Sequence, residues 1–137
     1  MLLVPQGVTA LMFAIFEDHL EIAQLLVERG ANVDAARTTD GMTSLMWASE
    51  KGHLEIAQLL AGEGANVNAA MTGDGSTALM LASFKGHLEI AQLLVEKGAN
   101  MNAARTTDGM TALMWATQQG HFEIVNLLQN NGAAAQG

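Results

Sequence analysis

Four histidines, His19, His53, His87 and His121, each stand two residues before a glutamate. A His-x-Glu pair carries the donors of a metal centre, or of a general acid and base, so these four copies are the first candidates for chemistry. Their spacing argues against both uses. On a helix, residues i and i+2 point to different faces, and equivalent histidines on packed helices stand roughly 8–10 Å apart, too far to share an ion whose ligands lie at about 2 Å. Structural capping is the expected role. The chain also has no Gly-rich phosphate loop, no Gly-x-Ser-x-Gly, no His-Glu-x-x-His and no cysteine, so nothing assembles a nucleophile with a base. No catalytic residue, metal or cofactor is expected.

The elements that carry those histidines repeat with them. "HLEIAQLL" occupies residues 19–26, 53–60 and 87–94, with "HFEIVNLL" at 121–128, and a fixed period of 34 residues marks a stacked repeat. Cutting at that period gives repeats 1–34, 35–68, 69–102 and 103–136, which fill one domain over 1–137. In "TSLMWASEKG", residues 43–52, Thr43 reads as an N-cap, Leu45, Met46 and Ala48 as an apolar stripe, and Gly52 as a stop. In "HLEIAQLLAGEG", residues 53–64, Leu54, Ile56, Leu59 and Leu60 form the stripe of a second helix. Glu55 sits in its first turn and Gly64 at its end, the latter matched by Gly30, Gly98 and Gly132. The stretch "ANVDAARTTDGMT", residues 31–43, carries a hairpin turn around Asp40-Gly41. Helices this short are marginal alone, so stacking must supply the core. The fold class predicted is all-α: a solenoid of helix-turn-helix units with β-hairpin loops projecting from one edge.

Composition sets limits on partners. Half of the residues are hydrophobic, 15% are charged and the net charge is −8, which suits neither nucleic-acid phosphates nor anionic lipid. The absence of cysteine suits a reducing compartment, and "MLLVPQG" resembles neither a signal peptide nor a membrane span, so the expectation is a cytoplasmic protein.

Residues 40–69, "DGMTSLMWASEKGHLEIAQLLAGEGANVNA", resemble the ankyrin repeat, with its Asp-x-x-Gly-x-Thr, Gly-His-Leu-Glu-Ile, Leu-Leu and Gly-Ala-Asn-Val-Asn elements. The resemblance runs through the whole chain. It implies a non-catalytic module that holds another protein on its hairpin tips and on the concave face of its first helices. Two departures stand out, because the family's Thr-Pro-Leu-His is Thr9-Ala10-Leu11-Met12 here, and likewise at Thr43, Thr77 and Thr111. Proline's pre-set φ and histidine's hydrogen bond are both lost, and apolar packing of Met12, Met46, Met80 and Met114 is expected in their place.

Positions constant in all four copies read as scaffold, so the varied ones should meet a partner. On the implied geometry Met42, Trp47, Met71, Leu81, Phe84, Met110 and Trp115 form a broken apolar stripe edged by Arg37, Lys51, Lys85 and Arg105. Aromatic residues, Met and Arg are enriched at interface cores, so these eleven are the candidate site for a protein or peptide. The competing view makes Trp47 and Trp115 core residues packed between repeats. An engineered or consensus-like scaffold with no natural ligand, or a spacer fragment of a longer array, also remains open. The last copy ends in polar "QNNGAAAQG" as a cap. The first carries "MLLV", Ile15 and Phe16, which suggests an apolar helix folded over its own end, a missing upstream repeat, or self-association there.

Overall fold

The computed structural model describes residues 9–133. Its helices come in pairs: α1 (Ala10–Phe16) with α2 (Leu20–Glu28), α3 (Ser44–Lys51) with α4 (Leu54–Gly62), α5 (Ala78–Lys85) with α6 (Leu88–Glu96), and α7 (Ala112–Gln118) with α8 (Phe122–Asn130). The first helices α1, α3, α5 and α7 lie side by side in one layer, and the second helices α2, α4, α6 and α8 form another behind it. This is the predicted solenoid.

Each first helix starts on a threonine. Thr9, Thr43, Thr77 and Thr111 are extended, and each hydroxyl accepts the amide of the methionine three residues on, a cap worth about 1 kcal/mol. Met46 is 1% exposed, as apolar packing requires, and its sulfur also lies 3.5 Å from the Thr43 amide as a weak acceptor. Two first helices end on glycines in the left-handed region, Gly52 and Gly86. Asp18, with φ 59°, takes that position after α1. The buried Leu45, Ala48, Ile56, Ala57 and Leu60, with Leu79, Ile90, Leu94, Ile124 and Leu128 at equivalent positions, join the layers into one continuous core.

The histidines do not cap their own helices as expected. All four occupy the residue before a second helix without a side-chain bond to it. The rings of His87 and His121 instead reach back to the preceding repeat, with Nε2 3.1 Å from the carbonyl oxygens of Glu50 and Phe84. His53 Nδ1 lies 3.4 Å from the carboxylate of Asp18. These contacts lock repeat to repeat.

The hairpins are linked in the same direction. Ala36 pairs with Thr43, Ala70 with Thr77 and Ala104 with Thr111. Asp40, Asp74 and Asp108 each accept the amide two residues on, which fixes the turn. Neighbouring hairpins then bond edge to edge, Thr72 N–H to the Asp40 carbonyl at 2.9 Å and Thr106 N–H to that of Asp74 at 2.8 Å. Behind them, Asp34 and Asn68 accept the amides of Asn66 and Asn100, each at 2.7 Å.

The ends differ from expectation. Ile15 is fully buried in the core, while Phe16, although 46% exposed, sets its ring against Trp47 on the groove side. The exposed apolar residues of the first repeat's second helix are Ile22 and Leu25, at 49% and 48%, whereas Ile56, the equivalent of Ile22 on a helix packed between α2 and α6, is 1% exposed. "MLLV" lies outside the described residues. In the last repeat Gln129, Asn130 and Asn131, at the C-terminal end of α8, are exposed and polar, whereas Phe122 at the start of that helix is 70% exposed; the remainder of "QNNGAAAQG" after Ala133 lies outside the described residues.

Gly62 closes α4 with a helical backbone and open space where a Cβ would go. Gly62→Ala is therefore expected to raise stability by up to about 1 kcal/mol, because glycine has the greater backbone entropy to lose. A thermal melt followed by circular dichroism checks this, and a lower melting temperature would count against it.

Candidate functional site

The first-helix layer and the inner edge of the hairpins enclose an open groove of about 510 Å³. Ten of the eleven residues anticipated for the site line it. Trp47 and Leu81 come from the middle of α3 and α5, and Lys51, Phe84 and Lys85 from their C-terminal ends. Arg37, Met71 and Arg105 come from the hairpins, and Trp115 from α7. Met42 lines the groove as well, but at 6% exposed it is chiefly core. Met110, half-buried on the third hairpin, is not part of the lining. The lining also contains Phe16, Glu50, Asp74, Ser76 and Met80, which were not anticipated.

Two aromatic pairs dominate the surface. Phe16 and Trp47 meet edge to face with centroids 4.7 Å apart, and Phe84 and Trp115 do so at 4.8 Å. Such pairs contribute roughly 0.5–1.5 kcal/mol beyond the area they bury. The Arg37 guanidinium lies 5.2 Å from the Trp47 ring and that of Arg105 lies 5.4 Å from Trp115. Lys51 sits 5.1 Å from Phe16, and Lys85 lies 5.9 Å from Phe84. Both tryptophans are half-buried and packed against the core, so each has a structural side and a groove side. The buried Trp47 indole N–H has no acceptor among the described residues.

The arginines are held by acids of the hairpins. Arg37 bonds Asp40 through two nitrogens, and this pairing holds the Asp40 carboxyl below the usual carboxylate range and Arg37 above its own. Arg105 Nε is 3.2 Å from Asp108, in an ion pair without the alignment of a hydrogen bond, and Nη1 is 3.8 Å from Asp74. Burial pushes the Asp74 carboxyl up, but hydrogen bonds from the Ser76 amide and hydroxyl, helped by Arg105, outweigh it and leave the carboxyl lowered.

A carboxyl lowered in the fold stabilises it above the unfolded pKa, about 3.9 for aspartate, and that stability is lost as pH falls through the folded value. Asp40→Asn is thus expected to reduce the acid sensitivity of the protein. Urea unfolding at neutral pH and below pH 4 measures it, and an unchanged difference between the two would count against the Arg37 pair.

No cluster of His, Cys, Asp and Glu able to hold a metal ion occurs among the described residues. None of the described helices is long and apolar enough to cross a membrane.

Paired helices, edge-linked hairpins and a groove along the first-helix layer define a helix-turn-helix repeat solenoid with one open, aromatic-lined face. The family model for ankyrin repeats, in 3 copies, matches residues 2–71 and 63–136, and the chain belongs to that family. Ankyrin repeats are generally protein-interaction modules and typically non-catalytic. A comparison with curated proteins finds no match.

Proposed function

We propose that this chain holds a protein or peptide partner in the groove of its first-helix layer. The observation that carries the reading is the pair of aromatic contacts, each with an arginine beside its tryptophan, on an open surface. Aromatic and Arg anchors are what interface cores favour, and an open groove suits a polypeptide better than a closed small-molecule pocket. The test is selection from a displayed random-peptide library, followed by amide hydrogen exchange with and without a selected peptide. Protection is expected in α3, α5 and the hairpins between them. Protection confined to the second-helix layer would overturn the proposal.

Self-association is a second reading, carried by exposed Ile22 and Leu25 on α2. Dimerisation through that face should appear in light scattering across a dilution series and vanish in Ile22→Glu. A strict monomer at high concentration removes it.

A further inference from the structure

The groove carries one arrangement of side chains twice. Phe16, Arg37 and Trp47 have their counterparts in Phe84, Arg105 and Trp115, each two 34-residue repeats further on, and both trios adopt the same arrangement of edge-to-face rings and guanidinium. The groove therefore presents one apolar anchor site twice. Lys51, at the end of α3, and Lys85, at the end of α5, fall between the two anchor sites along the stack.

Charge is distributed unevenly. The chain has net charge −8 and 6 Lys and Arg, yet Arg37, Lys51, Lys85 and Arg105 all line this one groove. Hairpin aspartates neutralise the two arginines. Lys51 and Lys85 make no ion pair among the described residues, and their ammonium groups lie near aromatic rings instead. Glu50 also lines the groove, so the lining sets four cations against two carboxylates, Glu50 and Asp74, and on an acidic protein that excess favours an acidic occupant and disfavours a basic one.

Packed helices stand roughly 8–10 Å apart, so the two anchor sites, two repeats apart, are separated by roughly 16–20 Å. An extended chain rises about 3.3 Å per residue and shows every second side chain to the same face, so six residues fit both the distance and the facing. We propose, resting on the groove reading above, that the partner is an extended acidic segment. It has large apolar side chains at positions i and i+6, seated at the Phe16–Trp47 and Phe84–Trp115 sites. Asp or Glu at i+2 and i+4 faces Lys51 and Lys85.

The test uses a fluorescein-labelled peptide with Leu at i and i+6, Glu at i+2 and i+4, and Ser elsewhere, titrated with the full chain and read by fluorescence anisotropy. Binding should weaken with added salt, and by about tenfold when both glutamates become lysine. Deleting one intervening serine, which turns an anchor to the opposite face, should weaken it as much. Lys51→Glu with Lys85→Glu should weaken the acidic peptide and strengthen the lysine version, a reversal that no loss of folding produces. Equal affinity for the two peptides, or tolerance of the deletion, overturns the inference. If library selection still delivers groove-bound peptides that are basic or differently spaced, the groove reading stands and only the motif falls. If no peptide footprints on the groove, both fall.

Discussion

Replacing Gly86 with alanine is expected to destabilise the protein by about 2–3 kcal/mol, through two penalties that add. Gly86 follows α5 with φ 84°, in the left-handed region, where a Cβ costs roughly 1–2 kcal/mol. The new Cβ would also stand 2.6 Å from Cε1 of His121, closer than real contacts allow. The ring must then swing away, which gives up its contact with the Phe84 carbonyl, a bond of about 1 kcal/mol in net terms. Because that contact joins α5 to the repeat carrying α7 and α8, the loss should appear as early melting of the C-terminal repeat. Urea unfolding gives the total, and amide exchange in α8 locates it. Stability equal to that of the parent would mean that the histidine ring is free to move and does not lock the repeats.

The same contact explains what the histidine motif concealed. From the sequence, a residue just before a helix with Glu two positions later reads as a cap, because caps are local and local spacing is what a sequence displays. The imidazole makes its bond to a carbonyl 37 positions earlier, across a repeat boundary. Only stacking brings those atoms together. The helix starts at Thr43 and its equivalents, the glycine stops and the buried Leu45, Met46 and Leu60 were all legible, since each follows from rules that act within a few residues.

Legibility of the groove divides along the same line. The tryptophans, lysines and arginines could be placed from register alone, because equivalent positions of a repeat face the same way. Phe16 reads in the sequence as part of an apolar end, although its 68-residue spacing from Phe84 matches that of Trp47 from Trp115 and is the available signal for the groove. Met42 and Met110 hold the same place in two copies of "ARTTDGMT", yet Met42 is buried while Met110 lies half-exposed outside the groove. Identical local sequence does not fix burial when the next repeat differs. The Met42 hairpin is followed by another hairpin that bonds to it, whereas among the described residues no further hairpin follows that of Met110.

Truncating Trp47 or Trp115 to alanine is expected to cost a groove-bound peptide at least about 2 kcal/mol each, roughly thirtyfold in affinity, as anchors at the centre of an interface do. The folding cost decides between the two views of these residues. A fully buried aromatic lost to alanine costs about 3–5 kcal/mol, whereas a half-buried one loses only part of its area from water and leaves a gap open to solvent instead of a sealed cavity. Trp47 and Trp115 are half-buried, so a folding loss of about 1–2 kcal/mol is expected, well below that of Leu60→Ala in the core. Trp47→Phe is the second variant to measure. It keeps a ring against Phe16 and Arg37 while removing the indole N–H that has no acceptor, so folding should change little or improve. If Trp47→Ala unfolds the chain as Leu60→Ala does, the tryptophan is core and the anchor reading fails. If the fold holds and a selected peptide is released, the side of the ring that faces the groove is the part that binds, and the same result at Trp115 would show that the anchor site is used twice.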